Sequence, residues 1–288
     1  MIRLFTDTSA NLPLRVLREH HISVLSFSYT VDGEPVHYDE NSSADFDGKA
    51  FYGAMRDGAV VKTSMINVVK FELPFSEALQ AGDDVLYVGM SGGISGAAGA
   101  AAIAVKDLRQ KYPDRRIAAV DTYAASLGEG LQVLAAARMI KDGVPFDEIE
   151  KTLLRERDFM CQYFTVDDLV YLRRGGRISG AAAMVGSMLN IKPILTGDPT
   201  GHIVSCGKSR GMKRALTALA DRYAQLARDK TEMIGIAHAD NEEGHQLLMN
   251  LLRERGFAGE CLLVDYEPVT GSHVGPGTVA LFFMGTRK

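Results

Sequence analysis

Between Asp84 and Asp121 the chain spells out a strand, a helix and a second strand joined by short links. Asp84-Val85-Leu86-Tyr87-Val88 is an apolar run of strand length that breaks at Gly89-Met90-Ser91-Gly92-Gly93. An alanine-rich helix follows from Ile94 to about Lys111, and Arg116-Ile117-Ala118-Ala119-Val120-Asp121 returns as a strand. Two strands joined through a helix in one sheet run parallel, with a right-handed crossover. A parallel sheet has helices over its faces, which places the chain in the α/β class.

The flanking sequence supplies the further elements. Residues 2–6 read as a strand ending in the polar turn Asp7-Thr8-Ser9-Ala10-Asn11, and Pro13 opens a helix to about His20. Residues 22–31 read as one strand, and Asp32-Gly33 signals a hairpin. Helices are expected near 44–57, 68–81, 125–142 and 145–160. Near residue 160 a new strand begins at Gln162-Tyr163-Phe164-Thr165-Val166, and a basic glycine-rich stretch leads into a small-residue helix. A hairpin then joins 191–195 to 202–205, followed by helix 211–229, strand 233–238, helix 241–255, strand 260–266 and strand 278–284. The expected organisation is two α/β domains, 1–160 with a mainly parallel sheet and 161–288, with a cleft between them as the default binding site.

Composition narrows the function classes. The 288 residues carry 32 Lys+Arg against 36 Asp+Glu, a net charge of −4, so no basic surface advertises nucleic acid. Cys161, Cys206 and Cys261 form neither a C-x-x-C pair nor an even framework, which fits a reducing, cytoplasmic setting. Asp7 arrives too soon for a signal peptide, and no apolar run approaches the ~18 residues of a membrane span. Neither a P-loop nor a G-x-G-x-x-G fingerprint occurs, so nucleotide binding by the common motifs is not supported.

Four groups could carry chemistry. Gly89-Met90-Ser91-Gly92-Gly93 satisfies G-x-S-x-G between a strand and a helix, and Ser91, Asp265 or Glu267, and His273 follow hydrolase order. An upstream oxyanion segment is missing, however, and only one βαβ unit precedes Ser91. The same residues also make a plain tight turn, or an anion-capturing helix start with Ser95 in its first turn. Thr63 and Ser64 form a similar polar knot before a helix; each knot alone is an ordinary N-cap. His273 lies in Gly271-Ser272-His273-Val274-Gly275-Pro276-Gly277, read as a loop between strands that either holds an imidazole beside a ligand or simply sits at the surface. Arg173-Arg174-Gly175-Gly176-Arg177 could clamp an anion, face a partner or be a solvated turn. His238 and His245, near Asp240 and Glu242, follow no recognised metal spacing, and no metal site is expected.

Six segments in order resemble the DegV family of bacterial fatty-acid-binding proteins, the lipid-binding subunits of fatty acid kinase. They are Asp7-Thr8-Ser9-Ala10-Asn11-Leu12-Pro13, Lys62-Thr63-Ser64, Gly92-Gly93-Ile94-Ser95-Gly96 and the element from Asp121 to Gly130. The run from Asp168 to Ser179 with Asn190-Ile191-Lys192-Pro193-Ile194-Leu195, and the loop from Gly271 to Gly277, complete the set. The resemblance implies a fatty acid in an apolar tunnel between two α/β domains, its carboxylate held by Thr63, Ser95 and His273. Ser64, Ser91, Gly96 and Arg174 would stand nearby, with Arg173 and Arg177 docking a partner or touching the anion. It also implies a non-catalytic, cytoplasmic carrier without cofactor or metal. Such a carrier presents fatty acid to an ATP-dependent kinase subunit that makes the acyl phosphate for phospholipid synthesis, with room for transient membrane contact. The chain departs from the family pattern at Ile66-Asn67, Met90, Gly92-Gly93 and Ala97, all beside the implied carboxylate site.

Overall fold

The computed structural model describes residues 1–39, 46–178 and 190–286. The small-residue helix expected after Ile178, with Ala181–Ala183, and the start of the helix expected at 44 lie outside them.

The chain opens with β1 (Ile2–Asp7), a 3-10 turn (Thr8–Ala10), α1 (Leu14–Glu19), β2 (Ser23–Leu25), β3 (Ser28–Val31) and β4 (Glu34–Val36). There follow α2 (Gly48–Arg56), β5 (Val61–Ser64), α3 (Val68–Gln80), β6 (Asp84–Gly89), α4 (Ala97–Lys111), β7 (Ile117–Asp121), α5 (Leu127–Lys141) and α6 (Phe146–Glu156). Strands β2-β1-β6-β7 form a parallel sheet in that order, with α4 as the crossover between β6 and β7. The βαβ reading of 84–121 is thus realised, although the helix starts at Ala97 rather than Ile94. Residues 91–96 instead close a tight turn in which the Ile94 and Ser95 N–H groups both donate to the Ser91 carbonyl.

The single strand expected over 22–31 is two. β2 stays with the parallel sheet, while β3 joins β4 and β5 in a small antiparallel sheet. Between them the Phe27 N–H donates to the Thr8 hydroxyl instead of to a strand, and the Phe27 ring is buried. Asp32 and Gly33 both take positive φ in the two-residue β3–β4 link, the geometry that Asp-Gly favours in a hairpin.

The second half contributes β8 (Met160–Thr165), α7 (Val170–Gly175), β9 (Ile191–Gly197), β10 (Ile203–Arg210) and α8 (Met212–Leu226). It continues with β11 (Ile234–His238), α9 (Glu242–Glu254), β12 (Cys261–Asp265), α10 (Pro268–Val274) and β13 (Val279–Met284). These strands form a six-stranded sheet in the order β10-β9-β8-β13-β11-β12, antiparallel except between β11 and β12.

Helix α5 connects the two large sheets. Ten of its residues, among them Leu127, Leu131, Val133 and Leu134, are buried, so it lacks the polar face of a surface helix. It packs against β1 and β6 on one side and β8, β11 and β13 on the other. Leu86 and Val120 of the first sheet and Phe164, Ala237 and Phe282 of the second therefore share one apolar core with Leu127. No helix among the described residues is long and apolar enough to cross a membrane.

Candidate functional site

Where the 91–96 turn, β5, α7 and α10 meet the second sheet, a cavity opens. Its empty space, open solvent at the mouth included, is about 780 Å³. Phe27, Met90, Ile94, Phe164, Val269 and Phe282 make much of its wall apolar, while Thr63, Ser95, Arg177 and His273 contribute polar groups. An outer recess shares Thr63, Arg177 and His273 with the cavity and adds Lys62, Tyr171 and Arg174. The shared residues mark the polar mouth.

His273 sits in the last turn of α10, not in a loop as the glycine pattern suggested. Glu267 nucleates this helix: its carboxylate accepts the N–H groups of Val269 and Thr270 at 2.7 and 2.6 Å, and Pro268 occupies the first turn. The His273 Nε2 lies 2.9 Å from the Thr63 hydroxyl. Gly175, at the end of α7, presses against the Nδ1 edge of the ring, where any Cβ would collide with the imidazole. Burial, aided by the Arg177 charge, pushes the His273 pKa down to about 4. The ring is therefore neutral near pH 7, and a neutral imidazole carries one N–H. Either the ring donates to Thr63, whose O–H then points onward, or Thr63 donates to the ring, whose other nitrogen keeps the hydrogen. The first arrangement leaves the Thr63 O–H as a donor for a ligand; in the second the ring hydrogen stands on Nδ1, against Gly175.

Ser95 supplies another. It precedes α4, its hydroxyl oxygen accepts the Ala97 N–H at 3.2 Å, and its own hydrogen stays available. The positive end of the α4 dipole lies beside it. Arg177 donates to the carbonyls of Ile94 and Gly175, which aligns its guanidinium along the wall. Among the described residues, no Asp or Glu side chain lines the cavity. Hydroxyls, an imidazole, a guanidinium and a helix N-terminus suit an anionic head group. The wall beyond suits an apolar tail.

The remaining sequence candidates take other places. Ser64 is exposed, alternating with Thr63 along β5. Gly96 is exposed at the start of α4, against the Met65 sulfur. Arg173 and Arg174 are exposed on α7, and Arg174 borders only the outer recess. Arg177, read as a docking residue or anion contact, lines both the cavity and its mouth.

Ser91 is fully buried, donates to the Gly201 carbonyl at 3.1 Å and accepts the Gly93 N–H at 3.1 Å. Its hydroxyl thus staples the turn to the loop after β9. Asp265 pairs with His238 at 3.1 Å, and Glu267 caps α10, so neither acid orients His273. His238, Glu242 and His245 do come together, their ligand atoms within 4.8 Å of one another. The two imidazoles stack with centroids 4.6 Å apart and 18° between planes, so their in-plane lone pairs point along parallel planes rather than to one ion.

Sequence reading missed the inner polar groups Ser126, Gln162 and Tyr266, which also line the cavity. Ser126 falls inside the Asp121–Gly130 element, and its positive φ carries no signal in its residue type. Gln162 sits in a strand, where a lone glutamine in an apolar run is the available hint.

The profile described as "Uncharacterised protein, DegV family" matches residues 1–286. A DegV domain-containing protein of Clostridium perfringens is 38% identical over 287 residues, covering 99% of this chain and 98% of its own. One from Lactococcus lactis is 32% identical over 290 residues, covering 99% and 98%. Among solved structures, a fatty-acid-binding DegV family protein of Thermus thermophilus superposes with a TM-score of 0.86 at 28% identity, covering 99% of both chains. A fatty acid binding DegV family protein of Streptococcus agalactiae gives 0.86 at 27% identity, covering 100% of this chain and 99% of the other. DegV of Bacillus subtilis, described as a fatty acid binding protein, gives 0.82 at 27% identity and 99% of both chains.

Proposed function

This chain belongs to the DegV family, and from that premise we propose that it binds one long-chain fatty acid in the cavity where the 91–96 turn, β5, α7 and α10 meet its second large sheet. The observation that carries the proposal is the pairing of His273 with Thr63 at the mouth of a largely apolar cavity, with Ser95 on its wall. Solved DegV relatives that bind fatty acids over the whole fold support it. In this reading Thr63, Ser95 and His273 hold the carboxylate and Arg177 balances its charge. Gly96 and Ser91 shape the turn, and Ser64, Arg173 and Arg174 face outward, where they serve a partner.

The energetics agree with a carrier. Desolvating a carboxylate costs several kcal/mol unless it is hydrogen-bonded, and each buried CH₂ returns ~0.8 kcal/mol. The tail then supplies most of the affinity and the polar mouth fixes which end faces out. A head group at the mouth is where a second protein can reach it. We therefore place the chain as a non-catalytic, cytoplasmic subunit that presents its fatty acid to an ATP-dependent kinase for acyl-phosphate formation and phospholipid synthesis. Loading would involve brief contact with a membrane. The chain holds no nucleotide motif of the common kinds, which fits that division of labour.

Native mass spectrometry, followed by solvent extraction, tests the lipid proposal. The expected result is one equivalent of a fatty acid of roughly fourteen to eighteen carbons, released on denaturation. A protein that is empty as purified and also refuses added fatty acids overturns it. Adding the purified protein with ATP and a fatty acid kinase subunit should yield acyl phosphate only when Thr63, Ser95 and His273 are intact.

A further inference from the structure

The opening motif Asp7-Thr8-Ser9 plays no part in the cavity wall, yet it builds a fully buried acidic pair. Asp7 and Glu129, at the end of β1 and in the first turn of α5, both reach the Ser9 hydroxyl. Ser9 Oγ lies 2.5 Å from Asp7 Oδ1 and 2.7 Å from Glu129 Oε2. A serine hydroxyl has one hydrogen. With both acids ionised, one of these contacts would set two lone pairs against each other, so one carboxyl must bring a proton.

The remaining partners say which. Asp7 Oδ1 accepts the Ser9 N–H at 2.9 Å, and Oδ2 accepts the Tyr87 hydroxyl at 2.5 Å and the Met90 N–H at 3.3 Å. Both of its oxygens face backbone N–H groups, which can only donate. Among the described residues Glu129 has one further bond, from the Thr6 hydroxyl to Oε1 at 3.1 Å, and its Oε2 meets only Ser9. We propose that Glu129 is a neutral carboxylic acid that donates through Ser9 to an ionised Asp7, and that this one-proton chain positions the Met90–Ser95 turn of the cavity. Burial and the Asp7 charge, with Glu267 adding to it, all hold the Glu129 pKa well above the usual carboxylate range. Tyr87 faces Asp7 and stays protonated for the same reasons.

The link to the cavity is short. The Met90 N–H rests on Asp7 while the Met90 side chain lines the wall, and Thr8 of the same motif holds the Phe27 N–H. Asp7 and Glu129 touch no ligand; they act as positioning residues.

Infrared difference spectroscopy of Glu129→Gln against wild type gives the decisive test, in H₂O and D₂O at a pH of about 8.5. There Glu267, whose pKa burial pushes up to about 7, is ionised. The expected result is loss of a deuterium-sensitive carbonyl band of a protonated acid in Glu129→Gln. The glutamine N–H can replace the acid as donor to Ser9, so this variant should bind oleate within about threefold of wild type. Asp7→Asn sets an amide against fixed donors and should weaken oleate binding tenfold or more, or fail to fold. Persistence of the band in Glu129→Gln overturns the proposal whatever Asp7→Asn does, as does oleate binding weakened in Glu129→Gln as much as in Asp7→Asn. The oleate readout rests on the lipid-binding reading, whereas the band does not. A wild type that ignores oleate yet loses the band in Glu129→Gln sinks the fatty-acid reading and leaves the protonated Glu129 standing.

Discussion

At the scale of single residues, the Thr63–His273 contact sets the pH behaviour of the site. An unfolded histidine takes up its proton near pH 6.5, whereas burial holds the folded His273 pKa down to about 4. Between these values the unfolded chain binds more protons, so the ligand-free protein loses stability as pH falls from about 6.5 towards 4. The difference corresponds to at most about 3 kcal/mol. Glu267 pulls the other way in part of this window, because its raised pKa favours the folded state on acidification. Melting temperatures of wild type and His273→Asn, compared from pH 7 to pH 4, isolate the histidine: the variant should show the shallower acid loss. An identical pH slope would mean that the ring is not held neutral. Thr63→Val removes a hydroxyl of nearly the same volume and should weaken fatty-acid binding by about 1 kcal/mol, or five- to tenfold, in a titration with a fluorescent fatty acid. In the sequence Thr63 is legible as part of a polar knot and His273 as a histidine in a glycine-rich stretch. Their contact is not, because it joins β5 to α10 across 210 positions of chain.

Elements decide how firmly those residues are held. Gly175 ends α7 where the His273 ring needs the space of a missing Cβ. Gly175→Ala should therefore displace the imidazole and cost more in fatty-acid affinity than in thermal stability; equal losses would show that the glycine serves only the helix end. Ser91 illustrates the opposite case. Its motif suggests a nucleophile, yet its hydroxyl bonds the Gly201 carbonyl and the Gly93 N–H. Ser91→Ala leaves both without that partner and should lower stability by about 1–3 kcal/mol. A denaturant titration measures this, and ester cleavage lost specifically in the variant would restore the hydrolase reading. Element periodicity and punctuation gave most of the fold: the βαβ unit, the Asp-Gly hairpin and the order of the later strands all appear where the sequence places them. The failures share a cause. The strand over 22–31 breaks because the Phe27 N–H finds the Thr8 hydroxyl, a partner distant in sequence. The glycines around His273 point to a loop, although Glu267-Pro268 carries an N-cap followed by a first-turn proline, the signal that announces α10.

The whole molecule behaves as its central helix dictates. Division into 1–160 and 161–288 treats α5 as part of the first half, but α5 buries its other side under β8, β11 and β13. Residues of both large sheets meet in one apolar cluster around it. A fragment ending at residue 160 would expose that second face, a contiguous apolar patch of the kind that drives association. It should be recovered as aggregate rather than as a folded monomer, and a soluble, cooperatively melting fragment would show that the halves are independent. The same core predicts one calorimetric transition for the intact chain. Because the cavity draws its walls from the second sheet and from the turns that follow strands of the first, Phe27 and Met90 among them, a fatty acid bound there stabilises the folded state of the whole chain and not of one half. At a free ligand concentration of 100 times Kd the gain is about 2.7 kcal/mol. Removing the lipid should accordingly lower a single melting transition without splitting it, and restoring oleate should raise it with the logarithm of concentration. If delipidation instead separates two peaks, the ligand rather than α5 joins the sheets, and the cavity is the hinge between two bodies.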